Sequence, residues 1–415
     1  MSPMSFVALG LSQDLVQAVI LAGYQQPTAV QSQSIPLILR GKDVIAQART
    51  GTGKTASYAL PILQLLQEVP EAKRRIIKAL ILTPTRELAM QVNSAIKIYG
   101  RNLTKPLRCA LIVGGLNIDV QLRGLMHGVD IVVATPGRLL DVVLRQKVDF
   151  SALRFLVIDE ADKMLDLGFA AEVESVLNLL PRQRQNLLFA ATVSEKVKGL
   201  AERFMPQAVE IKISGEAPTG ETVKQRVIEV NRTNRGPLLR HLIQTEGWPQ
   251  ILVFVSTVRG ADILTVKLNK ADIESHPFHA SLTQAQRTQV LGDFKNKRLR
   301  VLVATDLAAR GIDIDQLPVV VNYDLPRSPD DYIHRIGRTA RAGKSGVAVS
   351  FIGHEDKAHF SLIEKRLRLR NARESINGFE LTGEPVLEVK GKAPIKGRRM
   401  SKKDKARAGI VKKEG

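Results

Sequence analysis

Short apolar runs without polar alternation recur along this chain, and each ends in polar or glycine-rich residues. The runs occupy residues 79–82, 111–113, 131–134, 155–158 and 187–189 in the first half and 251–255, 302–304 and 319–321 in the second. Strands that are apolar on both faces, with helical segments between them, are typical of a parallel sheet covered by helices on both sides. Such sheets bind ligands at the carboxyl ends of their strands. The sequence therefore predicts an α/β fold whose candidate site residues follow the strands.

One strand–loop–helix segment has the pattern of a phosphate-binding loop. It follows the apolar residues 44–46 and reads Ala48-Arg49-Thr50-Gly51-Thr52-Gly53-Lys54-Thr55. The glycines let successive backbone N–H groups converge on one anion, Lys54 carries a positive charge to the outer phosphates, and the Thr55 hydroxyl can hold Mg²⁺. Ala48 stands where the general pattern has glycine. We predict a nucleotide site here; the alternative is an ordinary glycine-rich turn.

Two acidic residues, Asp159 and Glu160, follow the apolar run 155–158. A carboxylate at a strand end suits the Mg²⁺ partner of a phosphate loop, and a second carboxylate can polarise the water that attacks a phosphate. The alternative is a pair of acids that caps the next helix. Because Lys54 lies upstream, we expect catalysis by Lys54, Asp159 and Glu160. The metal would be held by Thr55 and Asp159.

The second half has no phosphate loop of its own but contains the segment His334-Arg335-Ile336-Gly337-Arg338-Thr339-Ala340-Arg341. Its three arginines recur every three residues and so lie along one side of a helical turn. If that side faces the first half, Arg338 and Arg341 can reach the terminal phosphate, a contribution worth about 10³–10⁵ in rate. The alternative is an exposed basic helix that binds nucleic acid, and the spacing alone does not separate the two.

The composition favours a polyanionic partner. The formal net charge is +20, and residues 391–415 carry ten Lys or Arg against two Asp or Glu. Aromatic residues make up only 4% of the chain, so phosphate contacts are favoured over base stacking. The basic end is typical of a disordered tail that adds salt-sensitive affinity for nucleic acid.

The remaining sequence features concern compartment and domain organisation. Cys109 is the single cysteine, which excludes internal disulfides and favours a reducing cytoplasm. We expect no signal peptide and no membrane span, because the chain lacks an apolar run of the necessary length. Gly, Pro and Ser in residues 214–220 indicate a linker. The predicted organisation is a first domain at 1–205, a linker at 206–222, a second domain at 223–370 and a tail at 371–415.

Several ordered motifs, taken together, resemble those of a DEAD-box ATP-dependent RNA helicase over residues 6–355. Asp159-Glu160-Ala161-Asp162 spells the family's name. The segment from Gly23-Tyr24 to Gln31 is similar to the family's Q motif. The other matching segments are Pro84 to Ala89, Gly114-Gly115, Thr135 to Arg138, Gln284 with Arg287, Ala308 to Asp313 and His334 to Arg341. The short N-terminal lead and the basic tail resemble the bacterial RhlE-type branch.

The resemblance implies two tandem RecA-like domains, each a mostly parallel sheet flanked by helices, and a basic flexible tail. The domains would close over ATP, Mg²⁺ and RNA. Tyr24 would stack on adenine, Gln31 would read its edge and Asp313 would touch the ribose; taken alone, Tyr24 and Gln31 are ordinary helix-cap and surface residues. The implied RNA contacts are Arg86, Gly115, Thr135, Arg138, Arg287 and Thr305. The implied interdomain coupling residues are Asp162, Ala190, Thr192 and His334.

Three segments depart from the family pattern. Ala190-Ala191-Thr192 replaces Ser-Ala-Thr, Ala340 replaces a glycine, and His279-Ala280-Ser281 replaces His-Gly-Asp or His-Gly-Asn. In the family, the hydroxyl that is missing at Ala190 helps to couple hydrolysis to duplex separation. Three functions therefore stay open: a helicase for short RNA duplexes, an ATP-gated RNA clamp and an RNA annealer driven by the tail. We expect a monomer, with ribosomal or RNA-decay proteins as candidate partners.

Overall fold

The computed structural model of the chain describes residues 5–48, 51–70, 75–145, 148–213, 223–309, 317–339 and 346–383. Within these ranges, the backbone forms two seven-stranded sheets in which every strand pairing is parallel. The predicted basic tail at 391–415 lies outside the described residues. Also outside the described residues are four site candidates and one residue that departs from the family pattern: Arg49, Thr50, Asp313 and Arg341, and Ala340.

The strands follow the apolar runs closely. Those of the first sheet are β1 (Val44–Gln47), β2 (Ala79–Leu82), β3 (Cys109–Ile112), β4 (Ile131–Ala134), β5 (Phe155–Ile158), β6 (Gln185–Ala190) and β7 (Val209–Lys212). Those of the second sheet are β8 (Val223–Glu229), β9 (Ile251–Val255), β10 (Ser275–Phe278), β11 (Val301–Thr305), β12 (Val319–Asn322), β13 (Gly346–Ile352) and β14 (Arg373–Glu374).

Helices connect the strands. Those of the first half are α1 (Gln13–Leu21), α2 (Ala29–Leu39), α3 (Lys54–Gln67), α4 (Arg86–Tyr99), α5 (Ile118–Met126), α6 (Pro136–Arg145), α7 (Ala161–Asp166), α8 (Ala170–Leu179) and α9 (Glu195–Phe204). Those of the second half are α10 (Arg235–Thr245), α11 (Val258–Asn269), α12 (Gln284–Lys295), α13 (Asp306–Ala309), α14 (Pro329–Ile336) and α15 (Lys357–Leu367). Short 3₁₀ helices lie at Val7–Leu9, Arg232–Asn234 and His354–Asp356.

The two sheets have the same strand order. The first runs β3-β4-β2-β5-β6-β1-β7 and the second runs β10-β11-β9-β12-β13-β8-β14. When the strands of each sheet are numbered along the chain from the first strand of that sheet, both orders are the same. The chain therefore repeats one α/β arrangement, which confirms the predicted fold of two tandem domains.

The strands of the first sheet other than the edge strand β7 contribute to two hydrophobic cores. In β2, Ala79 and Ile81 face the core formed with α1 to α4, whereas Leu80 and Leu82 face the core formed with α6 to α9. Both faces of the sheet are therefore buried, and the strand sequence needs no polar positions. Among the helices that the described residues form, none has the length and apolar character required to cross a bilayer.

Polar caps start the helices that follow these strands. Thr85 caps α4 and accepts a hydrogen bond from Leu88 N (3.3 Å), which places Arg86 at the first position of the helix. Ser328 caps α14 in the same way, and Pro329 occupies the first helical position. The caps fix where each helix leaves the sheet edge, so they fix the position of the polar side chains there.

Two strands fall within segments that the sequence predicts as linker and tail. β7 lies inside 206–222 and pairs with β1, and β14 lies inside 371–415 and pairs with β8. Beyond β14, the Phe379 ring packs against the His241 ring at 5.3 Å between centroids. Both strands lie at a sheet edge, where one face is not covered, and they lack the continuous apolar pattern of the central strands.

Ending the chain at residue 370 or at residue 383 tests the contribution of these last residues. Both truncations remove the basic tail, but only the shorter chain loses β14, the Glu374 partner of Arg226 (2.8 Å) and the Phe379 ring. We expect the shorter chain to lose about 1–3 kcal/mol of unfolding free energy, with a lower Tm. Urea and thermal unfolding of the two chains measure the difference. Equal stability would show that these contacts contribute nothing.

Candidate active site and nucleic-acid cleft

The strand order of the first sheet separates two groups of predicted site residues. Three neighbouring strands lead to the first group: β5 is followed by Asp159, β6 ends at Ala190, and β1 leads into the phosphate loop. The strands on the other side lead to the second group: β3 ends near Gly115, β4 is followed by Thr135, and β2 leads into the helix that begins at Arg86. Because all these strands run parallel, both groups lie along one edge of the sheet. The first group forms a candidate nucleotide site and the second a candidate nucleic-acid site.

The phosphate loop has the glycine-dependent backbone that its sequence predicts. Gly51 and Gly53 have φ angles of 82° and 86°, in the left-handed region, and Lys54 begins α3. The Lys54 side chain is buried, yet its Nζ has no hydrogen-bond partner among the described residues. A buried ammonium group without a partner is costly. An anion at the start of α3 would satisfy this group, so the residues present fit a phosphate.

Gln31 lies beneath this loop rather than at the surface. Its Oε1 accepts a hydrogen bond from Thr28 N (2.9 Å), and its Nε2 donates to the Gly53 carbonyl (3.2 Å). The glutamine thus completes a capping box at the start of α2 and supports the phosphate loop. Its contact with an adenine edge stays a prediction. Stacking of the adenine base on Tyr24 also stays a prediction. Tyr24 is half-buried, and its hydroxyl accepts a hydrogen bond from the Tyr99 hydroxyl (3.4 Å).

The acidic pair that follows β5 is buried. Asp159 Oδ2 accepts a hydrogen bond from the Tyr58 hydroxyl (2.9 Å), and Oδ1 accepts one from Glu160 N (2.8 Å). Burial is the main reason that the pKa of Asp159 is raised, while the charge of Lys54 acts in the opposite direction. Glu160 has a φ angle of 50°, a left-handed conformation that is uncommon outside glycine and clusters at functional sites.

Glu160 forms a buried ion pair with Lys163, which lies one turn along α7. The distance from Oε1 to Lys163 Nζ is 2.7 Å. Burial acts to raise the pKa of Glu160, but the charges of Lys163 and Lys54 outweigh it, and the pKa is lowered. The second oxygen, Oε2, is buried and has no partner in the part of the chain that the structure describes. This ionised carboxylate therefore keeps one oxygen able to accept a hydrogen bond from water.

Side chains of the second domain face these acids. A small cavity at the domain seam is lined by Lys163 and by residues of the second domain, among them Phe254, Asp306, His334, Arg335 and Arg338. Arg338 is buried, and its charge helps to lower the pKa of Glu160. Burial, and then the charge of Lys163, lowers the pKa of His334 to about 4, so this imidazole is neutral at pH 7. The seam thus combines acids of one domain with an arginine of the other.

Asp162 connects the acidic tetrad to the end of β6. Its Oδ2 accepts hydrogen bonds from Ala191 N (3.1 Å), Thr192 N (2.8 Å) and the Thr192 hydroxyl (3.1 Å). Within the described segments, Oδ1 is buried without a partner. Ala190 is fully buried, and its carbonyl accepts a hydrogen bond from Ala48 N (2.9 Å) at the start of the phosphate loop. The end of β6 therefore contacts both the phosphate loop and the acidic tetrad.

A second, larger cleft of about 510 Å³ lies between the domains on the other half of the edge. Among the predicted RNA contacts, it is lined by Arg86, Thr135, Arg138 and Arg287. Gly115, with a φ angle of 78°, lies under the Arg86 guanidinium, where an added Cβ would stand 1.8 Å from Nη1. Thr305 is buried at the end of β11, next to the helix α13 that borders the cleft.

Arg287 joins the domains across this cleft. Its Nε lies 2.8 Å from Glu87 Oε1 of the first domain, and both side chains are buried. The guanidinium also donates to the carbonyls of His279 (3.2 Å) and Ala308 (3.4 Å) and lies over the Phe278 ring. In this arrangement Arg287 is an interdomain contact, and its predicted contact with RNA stays a prediction.

Sequence reasoning did not single out three of the site residues. Tyr58 lies three positions after Thr55 on α3, Lys163 lies three positions after Glu160 on α7, and Glu87 follows Arg86. The helical spacing of the first two is a usable signal, because residues three apart share a helix face. Nothing in the sequence links Glu87 to Arg287, which is 200 positions away.

The described residues contain no cluster of three or more His, Cys, Asp or Glu side chains able to hold a metal ion. Mg²⁺ commonly takes one or two protein oxygens and completes its ligands with substrate phosphates and water. Asp159 after β5 and the Thr55 hydroxyl in the first turn of α3, beside the phosphate loop, fit this mode of binding. A metal site built from protein alone is not required.

Replacing Gly53 by alanine tests the contact between this glycine and Gln31. An added Cβ would stand 2.3 Å from Gln31 Nε2, whereas nothing lies within 4 Å at Gly41, a second left-handed glycine. We expect backbone strain to lower the unfolding free energy by about 1–2 kcal/mol in both Gly53→Ala and Gly41→Ala. Only Gly53→Ala should lose further unfolding free energy and bind nucleotide more weakly. Urea unfolding and nucleotide titration measure these effects. Identical behaviour of the two variants would contradict the role given to Gln31.

Comparison with known proteins places this geometry in a family. A sequence family described as DEAD/DEAH box helicase matches residues 28–200, and one described as Helicase conserved C-terminal domain matches residues 234–343. The DEAD-box ATP-dependent RNA helicase CshA of Geobacillus kaustophilus is 38% identical over 369 residues, which cover 89% of this chain and 78% of that protein. CshA of Bacillus subtilis is 39% identical over 369 residues, which cover 89% and 74%.

A solved structure gives the same result for the fold. Dbp5 of S. cerevisiae bound to RNA and ADP BeF3 superposes with a TM-score of 0.78 at 31% sequence identity, over 90% of this chain and 96% of that one. The two parallel sheets are therefore RecA-like domains, as predicted. This chain belongs to the DEAD-box family of ATP-dependent RNA helicases.

Proposed function

We propose that this protein couples RNA-stimulated ATP hydrolysis to local separation of short RNA duplexes or to remodelling of RNA–protein complexes. The observation that supports this most directly is the buried, unpartnered Lys54 ammonium beside the acidic pair, with Arg338 of the second domain acting on the same Glu160. A phosphate chain between the domains would neutralise these cations. The nucleotide would therefore hold the domains together.

In this proposal the nucleotide site is assembled from both domains. The phosphate loop and Lys54 bind the phosphates, and Arg338 with Arg341 stabilises charge on the terminal phosphate. The unpaired Oε2 of Glu160 accepts a hydrogen bond from the attacking water and orients it. Mg²⁺, held by Asp159, Thr55 and the phosphates, would supply charge neutralisation.

The adenosine would be bound by three further residues. Tyr24 stacks on the base, Gln31 contacts its edge and Asp313 contacts the ribose. These three roles rest on the family resemblance.

RNA would lie in the larger cleft and be held by its backbone. Arg86, Thr135, Arg138, Arg287 and Thr305 are the proposed contacts, because most of them line a cleft bordered by both domains. Gly115 would contribute by leaving room for Arg86. Backbone contacts carry little sequence information, and contacts to 2′-hydroxyls distinguish RNA from DNA. The basic residues 391–415 would add salt-sensitive affinity.

A second function, an ATP-gated RNA clamp with weak unwinding, is favoured by one specific observation. Ala190 brings no hydroxyl to the end of β6, and Asp162 Oδ1 has no hydrogen bond among the described residues. The contact between Asp162 and the end of β6 therefore depends on Oδ2, which accepts hydrogen bonds from Ala191 N, Thr192 N and the Thr192 hydroxyl. We propose His334 and these residues as the coupling between hydrolysis and strand separation. An annealing activity of the tail is the third candidate.

The finer biological assignments also stay proposals. The relatives compared above are CshA helicases, and membership of the RhlE-type branch rests on the resemblance of the basic residues 391–415. We propose a cytoplasmic monomer that acts in ribosome assembly or RNA decay, with ribosomal or RNA-decay proteins as partners.

Lys54→Ala tests the nucleotide site. Removing the ammonium group should abolish RNA-stimulated ATP hydrolysis, because no other described cation takes its place in the loop. Lys42→Ala, an exposed lysine at the amino end of β1, is the matched control and should keep the parent rate. Phosphate release with and without RNA is the measurement. Unchanged turnover in Lys54→Ala would refute the assignment.

Ala190→Ser separates a helicase from a clamp. If the missing hydroxyl limits coupling, the variant should separate more short RNA duplexes per ATP hydrolysed than the parent, at a similar ATPase rate. Strand displacement and ATPase assays on the same RNA measure this ratio. Efficient displacement by the parent, with no gain in the variant, would exclude the clamp.

A further inference from the structure

A buried tyrosine, Tyr58, donates a hydrogen bond to one of the acids of the proposed nucleotide site. Tyr58 is fully buried on α3, and its ring packs on Phe189 at 5.2 Å between centroids. Its hydroxyl donates to Asp159 Oδ2 at 2.9 Å. A phenylalanine would fill the same space, so the packing of the ring does not account for the hydroxyl.

The hydroxyl acts on a proposed metal ligand. A phenol has one proton, and Tyr58 directs that proton to Asp159 Oδ2. A carboxylate has more acceptor positions than this one bond uses, so Asp159 keeps lone pairs available to a cation.

The orientation of this carboxylate matters for cation binding. The hydrogen bond from Tyr58 to Oδ2 and that from Glu160 N to Oδ1 fix the orientation of Asp159. Groups that orient metal ligands in this way commonly change metal affinity by about 10–100-fold when they are removed.

We propose that Tyr58 is a positioning residue for the divalent cation that accompanies the nucleotide, and that its hydroxyl holds the Asp159 carboxylate in the orientation that binds that cation. This inference rests on the proposed nucleotide site. It adds that the Mg²⁺ dependence of nucleotide binding is set in part by a residue that touches neither the metal nor the nucleotide. A purely structural tyrosine would affect stability but not the Mg²⁺ dependence.

Tyr58→Phe removes the hydroxyl alone. The readout is equilibrium binding of fluorescently labelled ADP to the full chain, first in EDTA and then during titration with Mg²⁺. We expect the metal-free Kd to stay within about twofold of the parent and the Mg²⁺ concentration for half-saturation to rise about tenfold. The matched control is Tyr332→Phe in the second domain, another buried tyrosine whose ring packs on Phe360 and whose hydroxyl bonds to Gln225 (3.1 Å). The control should leave the Mg²⁺ half-saturation unchanged.

A second readout covers the case in which Tyr58→Phe is less stable. Thermal unfolding with ADP alone and with ADP plus Mg²⁺ measures how much the metal raises the Tm of each variant. The rise in Tm caused by Mg²⁺ should be smaller in Tyr58→Phe than in the parent and unchanged in Tyr332→Phe.

The outcomes distinguish the inference from the proposed function. A parent-like Mg²⁺ half-saturation in Tyr58→Phe would overturn the inference, and so would an equal loss of ADP affinity with and without Mg²⁺. The proposed nucleotide site would fail instead if Lys54→Ala bound ADP as the parent does, or if the parent bound no ADP.

Discussion

The functions of this protein depend on the single direction in which the strands of each sheet run. In a parallel sheet all carboxyl ends share one edge, and the order β3-β4-β2-β5-β6-β1-β7 divides that edge into two halves. The residues proposed to bind the nucleotide follow β5, β6 and β1, and the residues proposed to bind RNA follow β3, β4 and β2. Because β2 and β5 are neighbours, the two halves meet one strand spacing apart, about 4.8 Å. The proposed nucleotide site and the proposed RNA site are therefore neighbours on one sheet edge, and no further helix or loop is needed to link them.

The charges at the seam indicate how a nucleotide would favour closure in the proposed mechanism. Glu160 attracts Arg338 of the second domain, whereas Lys163 repels it, as the pKa shifts of both groups indicate. His334 adds no charge at pH 7, because its pKa is lowered to about 4. The Lys54 ammonium lacks a hydrogen-bond partner among the described residues. A phosphate chain would attract Lys54 from one domain and Arg338 from the other.

The sequence was informative where a local pattern determines the structure. Strands such as β5 and the left-handed Gly53 were predictable because unalternating apolar runs and phosphate-loop glycines have few other solutions. The edge strands β7 and β14 were not, because their stability comes from pairing with strands distant in the chain. For the same reason the hydrogen bond of Tyr58 and the pairing of Arg287 were visible only in three dimensions.

The ion pair between Glu87 and Arg287 has a consequence for repeated turnover. Both charges lose their hydration when the domains meet and recover it when they part, so the net gain from the contact is far smaller than its Coulomb attraction. A wholly apolar contact of the same size would instead favour the joined state strongly. A buried but hydratable pair sets the alignment of the two halves without making their separation slow, which a motor that must release its products needs in every cycle.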